Sequence, residues 1–170
     1  MGLDMYLEAR KYVRKIDWKA VPHPLPEGAS FNDYTTEDFN IVKQLFPAEL
    51  TKHTDAGSHV AINVGYRRKA NQIHGWFVNN VQNGEDDCKE YHVERHQLAE
   101  LLDKVSQVLD GDITTAKELL PVTSGPFFGP GEYDEYYYQN LKHTKEMLTN
   151  ILAIVPENDI DYSFYYSSSW

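Results

Sequence analysis

Alternating apolar and polar positions open the chain. Leu3, Met5, Leu7 and Ala9 are separated by Asp4, Tyr6, Glu8 and Arg10, the two-residue period of a strand with one buried face. The pattern predicts a first strand near residues 2–10. The segment VPHPLPEGAS, with three prolines and a glycine, reads as a loop. Thr35 and Thr36 ahead of Glu37 and Asp38 predict a capped helix start, with Phe39, Val42, Leu45 and Phe46 inward and Pro47 limiting its extent. A second strand is expected to place Val60, Ile62, Val64 and Tyr66 on one face and Ala61, Asn63, Gly65 and Arg67 on the other. Ala70, Ile73, Phe77 and Val81 then form a helical stripe, stopped by Asn83-Gly84.

The acidic turn EDDC leads into a short strand around KEYHV. Leu98, Leu101, Leu102, Val105 and Leu109 recur at helical spacing up to Asp110-Gly111, and a shorter helix around TTAKELL stops at Pro121. After the loop TSGPFFGPG, the longest helix is expected near 132–155. Tyr133, Tyr137, Leu141, Thr144, Leu148, Ile151 and Val155 lie along its inner face, and Pro156 ends it. In the tail, Tyr162, Phe164 and Tyr166 alternate with Ser163, Tyr165 and Ser167, an aromatic-rich final strand. Four strands interspersed with helices, without regular βαβ alternation, predict an α+β fold: a small, mostly antiparallel sheet with helices packed on a face, in a single domain over 1–170.

Charge sharpens this picture. The chain has 26 Asp+Glu against 16 Lys+Arg, a net charge of -10, which argues against general nucleic-acid binding because phosphates are repelled over most of the surface. Half of the positive charge sits in two places: Arg10, Lys11, Arg14, Lys15 and Lys19 near the start, and Arg67, Arg68 and Lys69 in GYRRKANQIHGWF. The second cluster falls where a strand ends and a helix begins. The helix dipole disfavours cations there, whereas converging cations and backbone N–H groups suit an anion. Arg68 and Lys69 are therefore the anion-holding candidates, with Asn71 and His74 orienting the ligand and Tyr66 as a stacking plate. The alternative is that these charges are solvated or pair with the downstream EDD.

Other constellations are weaker. TSGPFFGPGEYDE resembles a phosphate loop but has no Lys followed by Ser or Thr, and Glu132, Asp134 and Glu135 would repel a phosphate. Phe127 and Phe128 can still stack on a planar base. Tyr133 and Tyr137 read as core, so Tyr136 and Tyr138 must face another element, water, a ligand or an interface, the last with a partner protein or in a homo-oligomer. Cys88, His92 and His96 show a C-x3-H-x3-H spacing, but they straddle a strand and a helix and fall short of a four-ligand zinc site; no metal or cofactor is expected. Asp4 and Glu8 could pair with Arg10 or Arg67. The lone Cys88 fits a reducing cytosol, the start MGLDMYLEARKYVRK lacks the layout of a signal peptide, and no apolar run is long enough to span a membrane, so a cytoplasmic protein is expected.

With these blocks laid out, the chain resembles a family of small proteins found chiefly in bacteriophage genomes and also in bacterial ones. The resemblance rests on the opening MGLDMYL, on GYRRKANQIHGWFVNNVQNGEDDCKEY, on ELLPVTSGPFFG with EYDEYYY, and on the closing FYYSSSW. It implies context rather than mechanism. In that family the position of Arg67 is often aromatic, whereas Arg68, Lys69, Asn71 and His74 match. Phage context implies an accessory protein that sequesters a signalling nucleotide, blocks a host protein or degrades a metabolite. The residues favour the first, a non-enzymatic binder of a small anionic, nucleotide-like ligand. The second reading is an acidic protein that contacts a host protein through its C-terminal aromatics. The third is a phosphodiesterase or other hydrolase using His74 with Asp4 or Asp87.

Overall fold

Strand β1 (Asp4–Arg14) realises the opening alternation and continues it beyond the expected end, with Met5, Leu7, Ala9 and Val13 buried. The computed structural model describes residues 2–46, 48, 57–125, 127–129 and 131–170. Four strands form one open antiparallel sheet in the order β2-β1-β4-β3, with β2 (Gly57–Arg68), β3 (Tyr91–Val93) and β4 (Tyr162–Ser169). Between β3 and β4, Tyr91 faces Tyr166, His92 faces Tyr165 and Val93 faces Phe164. The fold is α+β, as the pattern predicts.

The chain divides into two compact units. In Arg10–Ala61, helix α1 (Glu37–Gln44) is capped by the Thr36 hydroxyl, which accepts from the Phe39 N–H, as expected. Phe39 and Val42 pack with Val13 and Val60. Leu45 and Phe46 do not join that stripe: the helix ends at Gln44 and both are exposed. Pro47 lies outside the described residues. A single 3-10 turn, Phe31–Tyr34, precedes α1; its Ser30–Asp33 capping box went unread in the sequence.

The other unit, up to Ala9 and Ile62–Trp170, holds the main core. Helices α2 (Asn71–Asn80), α3 (Arg95–Asp110), α4 (Ile113–Leu119) and α5 (Glu135–Ile154) contribute to it. Ile73, Phe77, Leu98, Leu101, Val105, Leu141 and Leu148 join Leu3, Met5, Leu7, Phe164 and Tyr166. Arg95 ties α3 to α5 by donating to the Leu152 and Val155 carbonyls, which a helix C-terminus leaves without partners. After α2 the chain turns at Asn83 and Gly84, both left-handed (φ 55 and 82), the stop that Asn-Gly predicts. Helix α5 starts three residues later than expected: Asp134 caps it through the Tyr137 N–H, leaving Glu132 and Tyr133 in the loop.

Strand β2 departs from simple alternation. Gly65 faces α5, where a Cβ would stand 2.3 Å from the Met147 sulfur, so a glycine is what lets that thioether reach the strand. Arg67 lines the same side, yet so do Ile62 and Val64. The period slips by one between Val64 and Gly65, and Tyr66 turns to the other face of the sheet, against Tyr6 at 5.4 Å. Among the described residues no helix is long and apolar enough to cross a membrane.

Candidate functional site

The C-terminal end of β2, the start of α2, the loop before α5 and the chain start converge at one place. Lys69 donates its N–H to the Leu3 carbonyl at 2.8 Å, and Leu3 in turn donates to Phe127 at 3.3 Å. Tyr136, in the first turn of α5, donates its hydroxyl to the Arg68 carbonyl at 2.6 Å. The Lys69 side chain lies against Gly129, where a Cβ would come within 3.1 Å of it. Arg68 and Lys69 both flank Gly2.

The surface of this junction carries five of the eight sequence-predicted residues. Tyr66, Phe127 and Tyr136 are 49%, 56% and 41% exposed, and the Arg68 side chain is likewise open to solvent. Asp4 stands among them. It accepts from the Tyr66 hydroxyl at 2.5 Å and lies 3.8 Å from the Arg68 Nε, rather than pairing with Arg67. The hydrogen bond to Asp4, with some desolvation, holds the Tyr66 phenol above the ordinary tyrosine range, so it remains a donor. Among the described residues the Lys69 ammonium has no carboxylate within ion-pair distance.

Lys69 and Phe127 share a further property. Both adopt left-handed backbone conformations, φ 59 and 67, which cost a residue with a Cβ about 1–2 kcal/mol. Phe127 is exposed, while the Lys69 side chain is half-buried against Gly129.

The other three predicted residues lie beneath. Asn71, Phe128 and His74 are buried, and their polar contacts go to the protein itself. Asn71 donates to the Phe128 carbonyl at 3.3 Å and accepts from the Thr123 N–H at 3.1 Å, fastening the loop to α2. His74 meets the Tyr166 hydroxyl at 2.8 Å through Nδ1 and the Asp86 carboxylate at 3.0 Å through Nε2. A carboxylate only accepts, so Nε2 carries the hydrogen. Burial, then the nearby Asp86 charge, pushes the Tyr166 phenol well above its ordinary range, and its O–H is left to donate to Nδ1. Asp86 also accepts from the Trp170 indole at 3.1 Å. The His74 ring is edge-on to Phe128.

This network corrects the roles given to Asn71, His74 and Phe128. They lie beneath the junction, and Tyr66, Arg68, Lys69, Phe127 and Tyr136 are the predicted residues that reach its surface. It also replaces the pairing of His74 with Asp4 or Asp87: the partner is Asp86, while Asp87 engages Lys89 and Tyr91. The EDD segment therefore serves His74 and Lys89, not the Arg-Arg-Lys cluster.

Asp86, Tyr166 and Trp170 are not legible in the sequence as one unit with His74. One signal was available: His74 stands four residues after Ala70 and three before Phe77, on the predicted buried stripe, where a polar ring needs partners. Cys88 is exposed, and His92 pairs with Glu94 and packs edge-on to Tyr165; among the described residues no three His, Cys, Asp or Glu side chains are grouped to hold a metal. Tyr133 and Tyr137 turn inward as expected, their hydroxyls meeting the Val122 N–H and the Leu120 carbonyl. Comparison with protein-family models, curated proteins and solved structures finds no match to this chain.

Proposed function

We propose that the protein binds and sequesters a small anionic ligand carrying a planar ring, of the nucleotide type, at the junction of β2, α2 and the loop before α5. The observation that carries this reading is the left-handed backbone at both Lys69 and Phe127. Such strain persists where the surroundings impose it, and it gathers at binding sites. Arg68 and Lys69 supply the charge; the ring face comes from Phe127 or Tyr136, or from Tyr66 on the opposite face of the sheet. Asp4 sets a limit on the ligand, because its carboxylate repels a phosphate unless Arg68 leaves it to take the anion. Burial of His74 within its own hydrogen bonds favours holding the ligand over hydrolysing it. A phage setting makes a host signalling nucleotide the natural class.

A nucleotide panel tests this by melting shift and product formation read together. Arg68→Ala and Lys69→Ala are each expected to weaken binding by roughly ten- to a hundred-fold, or about 1.5–3 kcal/mol, with the fold intact. Lys69→Gly is the sharper variant. It removes the cation and relieves the backbone, so stability should rise by about 1 kcal/mol while affinity falls. A panel without any melting shift rejects the reading.

A second reading has its own observation. On the sheet face away from the helices, Tyr6 pairs with Tyr66 and His92 with Tyr165, each at 5.4 Å. Such rings suit contact with a host protein. Co-purification of a host protein, lost on Tyr165→Ala and indifferent to Lys69→Ala, favours this alternative.

A further inference from the structure

A groove of about 440 Å3 runs between β2 and α5, apart from the site proposed above. Its two ends differ. His143, Glu146, Met147, Asn150, Ile151 and Ile154 recur at helical spacing along one side, a span of about 16 Å at the helical rise. Tyr136 on the Arg68 carbonyl sets the start of α5 beside the end of β2. Arg67 therefore belongs to the end that holds His143 and Glu146, and Ile62 to the end that holds Ile151 and Ile154. One end is charged and the other hydrocarbon.

Arg67 is the telling residue. Its Nη1 donates to the Tyr66 carbonyl at 2.8 Å, but its Nε is buried without a hydrogen-bond partner. Among the described residues no carboxylate lies within ion-pair distance of it. Burial draws its pKa down, with Glu146 and Tyr136 acting the other way. A half-buried guanidinium with one unmet N–H is a cost to the fold, and a carboxylate against the part of the fork that lines the groove offsets its lost hydration.

We infer that this groove binds a monocarboxylate with a medium-length hydrocarbon body, its carboxylate on Arg67 and its chain running towards Ile62 and Ile154. A single charge fits better than a phosphate dianion, because Glu146 shares the charged end and opposes every added negative charge. The volume suits a small molecule, within the roughly 300–1,000 Å3 of ligand pockets. Met147 also borders a second cavity of about 20 Å3 that Gly65 lines, so a flexible thioether bounds both and can shift for chains of different width.

Titration of the full chain with sodium octanoate by calorimetry tests the inference, with octanol and octylammonium as controls. Saturable one-site binding of octanoate is expected, tighter than octanol and much tighter than octylammonium. Affinity should rise roughly fourfold per methylene from hexanoate to octanoate. Arg67→Gln should weaken octanoate at least about tenfold and leave octanol unchanged, with a melting curve to show that the variant folds. Ile154→Lys, at a position 74% exposed, should flatten the dependence on chain length without touching the carboxylate end. The inference is overturned if octanoate shows no saturable binding, if octylammonium binds as well, or if Arg67→Gln changes nothing.

Discussion

His74→Ala is expected to destabilise the protein by about 3–5 kcal/mol, among the largest effects available to a single substitution. The ring is fully buried, so its removal leaves a cavity between Phe128 and Tyr166. It also strips the Tyr166 hydroxyl and one oxygen of Asp86 of their partner. An unmet buried polar group adds roughly 1–3 kcal/mol to the cavity cost. Against a total stability of about 5–15 kcal/mol, the variant stands near the edge of folding, and melting should drop by roughly 2–4 °C for each kcal/mol.

A double-mutant cycle separates the cavity from the hydrogen bond. Tyr166→Phe should destabilise the native protein by about 1–3 kcal/mol, yet much less in the His74→Ala background, where its hydroxyl is already orphaned. Equal costs in both backgrounds would show that the His74–Tyr166 bond contributes nothing. Asp86→Asn offers a third corner: the amide can still accept from Nε2, so its effect should be smaller than that of removing the ring.

Why this network escaped the sequence is a matter of periodicity. Strand patterns with one dry face are legible because polar and apolar residues alternate, as in Leu3–Arg10 and Tyr162–Ser167. Helix α2 gives no such contrast, since Asn71 to Phe77 are all buried. When every side of a helix is inside, spacing cannot say which polar residues meet the ligand and which meet the core. Asn71 and His74 therefore stand out by position, while their burial withdraws them from the surface.

The surface residues were more legible. Arg68 and Lys69 stand out as cations at a helix start, and Tyr136 as one of two tyrosines, with Tyr138, that the inner face of α5 cannot take. What spacing could not show is that Phe127, more than fifty residues from Lys69, would be joined to it through the Leu3 backbone, both in left-handed conformations. Nor could it show that Asp4 would enter the patch. Those facts depend on the hydrogen bonds from Lys69 to Leu3 and from Leu3 to Phe127, which form only once the strand order is set. The slip in β2 belongs to the same class. Tyr66 changes faces next to the point where Gly65 admits Met147, a packing contact with no period of its own.

Asn71→Ala should show how far the patch depends on what lies beneath it. Asn71 is 3% exposed and holds the loop at two points, the Thr123 N–H and the Phe128 carbonyl. Truncation leaves both backbone groups without that side chain in a region water reaches poorly, at an expected cost of about 2–4 kcal/mol. The loss should not be spread evenly. Phe127 and Gly129 are set by this loop, so the ring and the surface under Lys69 loosen first, while α3 and α5 stay packed through Leu98, Leu101, Leu141 and Leu148. Hydrogen exchange should therefore rise in 121–129 well before it rises in α3. Ligand affinity should fall by at least about tenfold although no residue proposed to touch the ligand has changed, because an ordered site becomes one that binding must order. Unchanged exchange in 121–129 would show that the loop is held by other contacts and that Asn71 is ordinary core.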